Sequence, residues 1–337
     1  MKLIELHILQ SFPVSCLNRD DVGSPKSAQF GGVRRARISS QCLKRASRLQ
    51  ASEEHPNFQG IRTRHLLEPF TQALEAEGME SEEAKKNAEE ICKLFSKPDT
   101  KHPEQVTTAV YLSPAEAGQI AAEVASGTEA KKAIKNATRN DAADIALFGR
   151  MVANDPGLNV EAASMFSHAL STHTTDNEID FFSAVDDMKV DAEDAGAGMI
   201  GTLEFNSATY YRYVGINLDL LAKEDHLGGL PEEDRKAILR AFIKATLTSV
   251  PGARKNSMNA ATLPHEVLGI RKDQGQPLQL INAFESPIRA SGKGYAENSL
   301  EKLKEHLANI EKIWGKQGEQ CYLSESGIDA FLDNLLQ

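Results

Sequence analysis

The sequence predicts an α+β protein in which a block of helices lies between β-rich segments. Residues 2–10 place Ile4, Leu6 and Ile8 at every second position, as a strand with one buried face does. Residues 61–148 are rich in Ala, Glu and Lys and carry helical spacing, whereas residues 198–218 are β-rich again. Strands and helices that occupy separate stretches are typical of the α+β class, although this order alone does not fix a topology.

The segment that follows the first strand predicts a turn and then a helix. Gly31-Gly32 is a turn signal that allows a close backbone approach. Ser39 or Ser40 is a suitable N-cap for a helix that runs from Gln41 to Arg48. The free N–H groups of its first turn, together with the helix dipole and the Ser hydroxyl, favour an anion.

Three helices are predicted within residues 61–148. The first begins at Ser81 and ends near Pro98, with an apolar stripe every three to four residues; the second spans Pro114–Val124, and the third begins near Glu129. The stripe of the first consists of Ala84, Ala88, Ile91 and Leu94. This block is predicted to form a helical subdomain inserted into the rest of the fold.

The second half of the chain predicts a hairpin and two helices. MIGTLEF and ATYYRYVGINL flank Asn206-Ser207, which is a turn signal, so Phe205 is expected at an apolar tip. Strand alternation places Tyr211 and Tyr213 on one face, and Tyr210 and Arg212 on the other. A helix is predicted from Glu232 to Leu247, and the stripe Leu300, Leu303, Leu307, Ile310 and Ile313 predicts an amphipathic helix near the C-terminus.

The composition excludes several classes of protein. The 337 residues are 41% hydrophobic and 26% charged, which is ordinary for a soluble globular protein, and no apolar run approaches 18 residues. Glu5 and His7 interrupt the first apolar stretch, so it predicts a strand rather than a signal peptide. The four cysteines are far apart without a C-x-x-C pair, which indicates free thiols in a reducing cytoplasm.

Charge is concentrated where the helix at Gln41 is predicted. The stretch Arg19–Arg48, which we call the basic segment, has eight basic and two acidic residues, although the whole chain has a net charge of −10. Lys44 and Arg48 are four residues apart and share a helix face with Arg45 beside them. One interpretation is a cradle for a nucleic-acid backbone; the other is a solvated basic loop and helix face.

Several long sequence motifs resemble those of a known protein family. They are SCLNRDD, FGGxRRxRISSQxLKRA, DIALFGRM, DFFSAVDD, GTLEFNSATYYRYVGINL and VPGAR, in this order. They resemble the CasC family, the repeated backbone subunit of type I-E CRISPR Cascade surveillance complexes. The resemblance implies a modified RRM-like (ferredoxin-like) palm of residues 1–57 and 181–337, a helical fingers insertion of residues 58–180, and a β-hairpin thumb of residues 196–217.

The resemblance also implies the ligands and the residues that hold them. The partners would be CRISPR RNA (crRNA), the target DNA strand, copies of the chain itself and other Cascade subunits, in the cytoplasm, without a membrane, metal ion, cofactor or enzymatic activity. The RNA-binding residues would be Arg19, Lys26, Ser39, Gln41, Lys44, Arg45, Arg48, Arg150, Met151, Thr202, Leu203, Phe205 and Arg254. Duplex DNA would contact the fingers at Lys131, Lys132, Lys135 and Arg139.

Two other classes of function remain open at this point. The stretch Asp176–Asp194 holds eight acids and one lysine, and His168 and His173 precede it. Clustered carboxylates can hold Mg²⁺ or Mn²⁺ for RNA cleavage, so a metal-dependent ribonuclease that uses Asp186 or Asp187 is one alternative, although the spacing fits no metal motif. A scaffold whose basic segment binds an acidic protein is the other.

Overall fold

The computed structural model describes residues 1–152, 154–184 and 199–337, and a nine-stranded antiparallel sheet lies at its centre. The strands are β1 (Leu3–Ser15), β2 (Ser27–Phe30), β3 (Val33–Ile38), β4 (Ile61–Thr63), β5 (Val110–Leu112), β6 (Ser164–Phe166), β7 (Ala169–Ser171), β8 (Glu178–Ala184), β9 (Met199–Asn217), β10 (Glu266–Lys272) and β11 (Glu319–Tyr322). The sheet has the order β11-β10-β1-β9-β7-β3-β2, and β6 and β8 also pair with β9. Strands β4 and β5 form a separate pair.

Helices cover this sheet and build the inserted block. They are α1 (Ser40–Glu54), α2 (Leu67–Ala76), α3 (Ser81–Phe95), α4 (Pro114–Ala125), α5 (Ala130–Asn136), α6 (Ala143–Phe148), α7 (Leu218–Leu221), α8 (Glu232–Thr248), α9 (Ala296–Trp314) and α10 (Leu323–Leu336). Short 3₁₀ turns occur at Pro156–Leu158 and Ile281–Phe284. The predicted combination of helices and β-strands is confirmed, and the strands form an antiparallel sheet. None of the helices in the described ranges is long and apolar enough to cross a membrane.

Strand β1 is buried on both faces, so the prediction of a half-buried strand was wrong. Ile4, Leu6 and Ile8 pack in one cluster with side chains of α8 and α10, whereas Leu9 packs on the other face in a cluster with side chains of α9. Polar residues of β1 such as Glu5, His7 and Gln10 are buried too, and Glu5 bonds the ammonium of Lys272 at 2.6 Å. The alternating pattern identified the strand but not its position in the sheet. β1 lies between β10 and β9, and helices pack on both of its faces.

Strand β9 corrects the predicted hairpin. It runs without a turn through Asn206 and Ser207, and its second half pairs with β1. Its first half pairs with β8, so that Phe205 lies opposite Glu178 in the middle of a strand rather than at a tip. The hairpin therefore consists of β8 and β9, and the residues that join them, 185–198, lie outside the described residues. Asn206 is buried in the strand, where its amide donates to the side chain of Asn177.

The inserted block has a hydrophobic core of its own. Side chains between Leu66 and Leu158, from α2 to α5 and β5, form one cluster. The predicted helices lie at α3, α4 and α5, and a capping box between Ser113 and Glu116 begins α4. Strands β6 and β7 belong to the central sheet, although they lie within the predicted insertion of residues 58–180.

Two of the helices in the C-terminal part, α8 and α9, agree with the prediction. Helix α8 begins at Glu232 as predicted, and the stripe of α9 buries Leu303 and Leu307 but leaves Ile313 exposed. Strand β11 and helix α10 were not predicted. Strand β11 has the sequence EQCY and lies at the sheet edge, where no alternating pattern is required.

Candidate nucleic-acid interface

Helix α1 begins where the sequence predicted. Ser39 is its N-cap, and its hydroxyl oxygen accepts a hydrogen bond from the Cys42 N–H. The side-chain oxygen of Asn18 accepts from the Ser39 N–H at 2.9 Å, so the preceding loop is fixed to the cap. The Ser39 side chain is buried, and its capping role explains its presence without a ligand.

One side of α1 lines an open groove of about 550 Å³, which we call the strand groove. Its lining residues are Gln41, Lys44, Arg45, Arg48, Arg62, Tyr111 and Phe148. Four of them are cationic and none is acidic among the described residues of this lining. The groove therefore combines a strong positive charge with two aromatic side chains.

Aromatic rings and a buried carboxylate hold two of these cations in place. The Arg48 guanidinium lies 5.5 Å from the Tyr111 ring centre, donates to the Gly60 carbonyl at 3.0 Å, and faces the buried carboxylate of Asp144. Burial raises the pKa of Asp144, and the charge of Arg48 opposes that rise. The Lys44 ammonium lies 5.8 Å from the Phe166 ring centre, and partial burial lowers its pKa.

Arg62 was missed by the sequence analysis. It lies on β4 directly opposite Tyr111 of β5, so both side chains leave the same face of this two-stranded pair. Each strand has three residues inside a stretch that was interpreted as helical. A pattern of three residues is too short to show alternation, and only the pairing brings Arg62 to the groove.

A second groove of about 870 Å³ lies on the other side of α1, and we call it the loop groove. It is lined by Leu17–Asp21, Gly23, residues of α1 including Arg45, and the loop 249–255. Arg19, Arg45 and Lys255 face it together with Asp20, Asp21 and Glu53, so its charge is mixed. The Asp20 carboxylate accepts from the Val22 and Ser24 N–H groups and shapes the loop. Arg45 lines both grooves.

Lys26 lies near the N-terminal half of α1, whereas Arg254 lies near Cys16, just after β1. The positive charges of Lys26 and Arg45 oppose the rise that burial imposes on the pKa of Cys42, a residue of α1. Arg254 has a backbone φ of +54°, a conformation that is rare for a residue with a side chain. Its Nε is buried without a hydrogen-bond partner among the described residues.

One cation of the basic segment serves the fold. Arg35 is fully buried and donates to the carbonyl oxygens of Phe30, Ser171, Phe284 and Glu285. Its neighbour Arg34 is exposed. The charge count of the basic segment therefore overstates the positive charge that a ligand meets.

Two more predicted contact residues are already bound within the protein. Arg150 is buried, and its guanidinium bonds both carboxylate oxygens of Glu116, at 2.9 and 2.8 Å. Arg139 bonds the same carboxylate at 3.2 Å and the Asp225 carbonyl at 3.1 Å. Helix α5 ends at Asn136, so Arg139 does not extend the helical stripe of Lys131 and Lys135. Because their guanidinium groups are engaged within the protein, we do not expect Arg150 and Arg139 to bind a ligand. Met151, next to Arg150 in the sequence, is exposed.

The hairpin presents a different apolar surface from the predicted one. Thr202 is exposed, but Leu203 is buried and Phe205 is half-buried within β9. The most exposed apolar side chains among its described residues are Ile179 and Phe181 of β8, which are 69% and 64% exposed, whereas Phe182 is 39% exposed. Ile179 and Phe181 are two residues apart and share one face of the hairpin. The sequence analysis missed them because it placed the hairpin after residue 198.

The residues described here hold no cluster of three or more His, Cys, Asp or Glu side chains that could bind a metal ion. Asp186 and Asp187 lie outside the described residues. His168 is exposed and accepts from the Ser40 N–H at 3.3 Å. His173 is buried, stacks on Tyr295 with ring centres 3.7 Å apart, and accepts from the Thr209 N–H. Both histidines thus have contacts that do not involve a metal.

Comparisons with known proteins identify the family and similar structures. The family model described as "CT1975-like protein" matches residues 4–333. A chain from a "CRISPR RNA-guided surveillance complex, pre-nicking" is similar over 99% of both chains, with a TM-score of 0.81 and 26% identity. A chain from a "CRISPR RNA-guided surveillance complex" shares the fold over 99% of this chain and 98% of its own, with a TM-score of 0.64 and 24% identity. No curated protein sequence matches.

Proposed function

This chain belongs to the family of CT1975-like proteins, and from that premise we propose that it is the crRNA-binding backbone subunit of a type I-E CRISPR Cascade surveillance complex. Its similarity to chains of CRISPR RNA-guided surveillance complexes supports a role as a Cascade component. The motifs of the sequence support the finer assignment to the CasC type.

The strand groove is the observation that carries this proposal. A protein with a net charge of −10 repels polyanions, yet four cations face this groove and no described lining residue opposes them. Lys44, Arg45, Arg48 and Arg62 provide cations for successive phosphates, and the Gln41 amide suits a 2′-hydroxyl. The aromatic side chains suit the bases of single-stranded RNA.

In the proposed assembly, copies of the chain lie side by side along one crRNA. Each copy holds the backbone in its groove and leaves bases open to pair with target DNA, so pairing supplies the sequence specificity. The β8–β9 hairpin acts as the thumb, and its exposed Ile179 and Phe181 contact the next copy or the displaced base. The central sheet is the palm, and the fingers end before β6, since β6 and β7 belong to the sheet.

The exposed lysines of the fingers have a separate proposed role. Lys131, Lys132 and Lys135 are exposed on α5, where they would contact the phosphates of target DNA without sequence preference. Arg19 and Lys255, which line the loop groove, together with Lys26 and Arg254, would extend the path of the RNA backbone beyond the strand groove.

The direct test is RNA affinity as a function of salt. If about four phosphates are neutralised per copy, log affinity falls with log salt with a slope of about −3 for single-stranded RNA. Lys44→Ala and Arg62→Gln should each weaken binding to all sequences alike and flatten the slope by about 0.7. Lys312→Gln, an exposed cation on α9, is the matched control and should leave both quantities unchanged.

Three outcomes would contradict the proposal. Equal, salt-insensitive affinity of the wild-type protein and both groove variants would show that the groove binds no nucleic acid. Tighter binding to poly-glutamate than to RNA of the same charge would favour the scaffold for an acidic protein. Cleavage of labelled RNA that requires Mg²⁺ and stops with EDTA would favour the ribonuclease instead.

A further inference from the structure

We propose that the strand groove binds a nucleobase as well as a phosphate, with Tyr111 and Phe148 as its aromatic wall and Arg62 at its rim. The inference rests on the proposed function, because it takes the ligand to be single-stranded RNA. It goes further by assigning one base contact per copy to the β4–β5 pair of the inserted block. None of these three residues was among those that the sequence resemblance implied.

The aromatic residues lie where a flat ligand can reach them. Tyr111 and Phe148 are both half-buried and both line the groove. Phe148 packs against Phe166 and Phe242 at ring-centre distances of 5.9 and 5.7 Å, so its far side rests on the core. Lys44 lies beside Phe166. The groove therefore combines cations with aromatic rings, which is the composition of sites that stack bases and neutralise phosphates.

This wall is held rigidly before any ligand binds. The Arg48 guanidinium lies against the Tyr111 ring and is fixed by Gly60 and Asp144. The Tyr111 carbonyl accepts from the buried guanidinium of Arg150, which Glu116 holds in place. A site whose side chains are already ordered loses less conformational entropy when it binds. The buried arginine that sequence analysis assigned to RNA thus supports the site from behind.

The comparison between the two grooves favours a base over a phosphate alone. The loop groove is larger and has mixed charge, and its described lining contains no aromatic side chain. Both grooves fall in the size range of small-molecule sites, so the difference lies in the lining: the aromatic wall of the strand groove would gain nothing from a phosphate. Every base has a π-face, so this contact tolerates any sequence. Sequence tolerance is what a subunit that serves many guides requires.

The test compares intact RNA with RNA that has lost its bases. The probe is a single-stranded oligoribonucleotide of about ten nucleotides, and its partner has the same backbone with abasic riboses throughout. Tyr111→Leu should weaken binding of the intact RNA by about 5- to 150-fold, the range for one stacked base. It should reduce the affinity for the abasic RNA far less, because Arg48 loses its ring contact but keeps its contacts with Gly60 and Asp144. The salt slope should stay the same, because no cation is removed. Tyr111→Phe keeps the ring and should bind both probes as the wild type does.

A second measurement does not depend on a variant that folds. RNA containing 5-iodouridine, irradiated while bound to the wild-type chain, should form a crosslink that mass spectrometry places at Tyr111 or Phe148. Crosslinks confined to other residues, or an equal loss for Tyr111→Leu on intact and abasic RNA, would overturn the base site. If wild-type binding falls with salt but is equal for both probes, the base site fails and the proposed function stands. If the wild type binds neither probe, the proposed function fails.

Discussion

The guanidinium of Arg48 lies 3.5 Å from Oδ2 of Asp144, a carboxylate with no exposed surface. The contact joins α1 to α6. The Gly60 N–H also donates to Asp144 at 3.1 Å, and a side chain at Gly60 would have its Cβ 2.5 Å from that carboxylate. The cation at the centre of the candidate RNA site is therefore also part of the protein's internal structure.

This double role separates Arg48 from its neighbour. Arg48→Ala leaves the Asp144 charge buried without its partner, and we expect the free energy of unfolding to fall by about 3 kcal/mol. Arg45→Ala removes an exposed cation and should change stability by less than about 0.5 kcal/mol. Both should weaken RNA binding. Urea unfolding and RNA titration at fixed salt check the two effects.

A double variant controls for the buried charge. Arg48→Met with Asp144→Asn removes both charges, so most of the lost stability should return while RNA affinity stays low. Equal stability of Arg48→Ala and Arg45→Ala would show that the Asp144 contact contributes nothing to the fold.

Two adjacent arginines of β3 offer a second prediction. Arg35→Ala leaves the buried carbonyls of Ser171 and Phe284 without their donor, so stability should fall by about 3 kcal/mol. Arg34→Ala deletes the same charge from an exposed position and should cost less than about 0.5 kcal/mol. Thermal and urea unfolding of the two variants provide the comparison. Similar losses in both would mean that Arg35 is not a structural anchor.

Local signals in the sequence predicted local structure. Ser39 was predicted as an N-cap because the cap needs only its own hydroxyl and the next turn of backbone, and the structure places it there. The turn predicted at Asn206-Ser207 was wrong because pairing with β1 and β8 overrides the local preference of Asn. Turn preference is weak against a full ladder of strand hydrogen bonds.

The candidate site was only partly predictable for the same reason. Gln41, Lys44, Arg45 and Arg48 lie on one helix, so their spacing placed them together. Arg62, Tyr111 and Phe148 reach the same groove from distant parts of the chain. Arg150 is the opposite case. A sequence motif predicted it as an RNA contact, but the structure shows that the Glu116 carboxylate binds it instead.

A third prediction concerns assembly. Ile179 and Phe181 are exposed on the hairpin, where burial against a neighbouring copy would stabilise the contact by about 1.5–3 kcal/mol for each side chain. Replacing both by Ser should leave monomer stability unchanged and weaken binding to RNA long enough for several copies by at least about tenfold. Binding to RNA that spans one copy should remain. Analytical ultracentrifugation measures the number of copies bound.

The matched control for assembly is Ile313→Ser, which alters an exposed apolar residue at the end of α9. It should assemble on long RNA as the wild type does. Loss of assembly in this control but not in the hairpin variant would assign the contact between copies to α9.

The last prediction follows from a buried histidine. The Tyr211 hydroxyl accepts from the Leu280 N–H and shares a hydrogen bond of 2.8 Å with Nδ1 of His7, whose ring is fully buried. Burial, reinforced by the charge of Lys272, lowers the pKa of His7 from 6.5 to about 3. Between these values only the unfolded chain binds the proton, so stability is full above pH 6.5 and falls by about 1.4 kcal/mol per unit as the pH drops toward 3. His7→Gln should remove this share of the slope. Urea unfolding from pH 7 to pH 4.5 measures it, and identical slopes in both proteins would show that His7 titrates normally in the folded state.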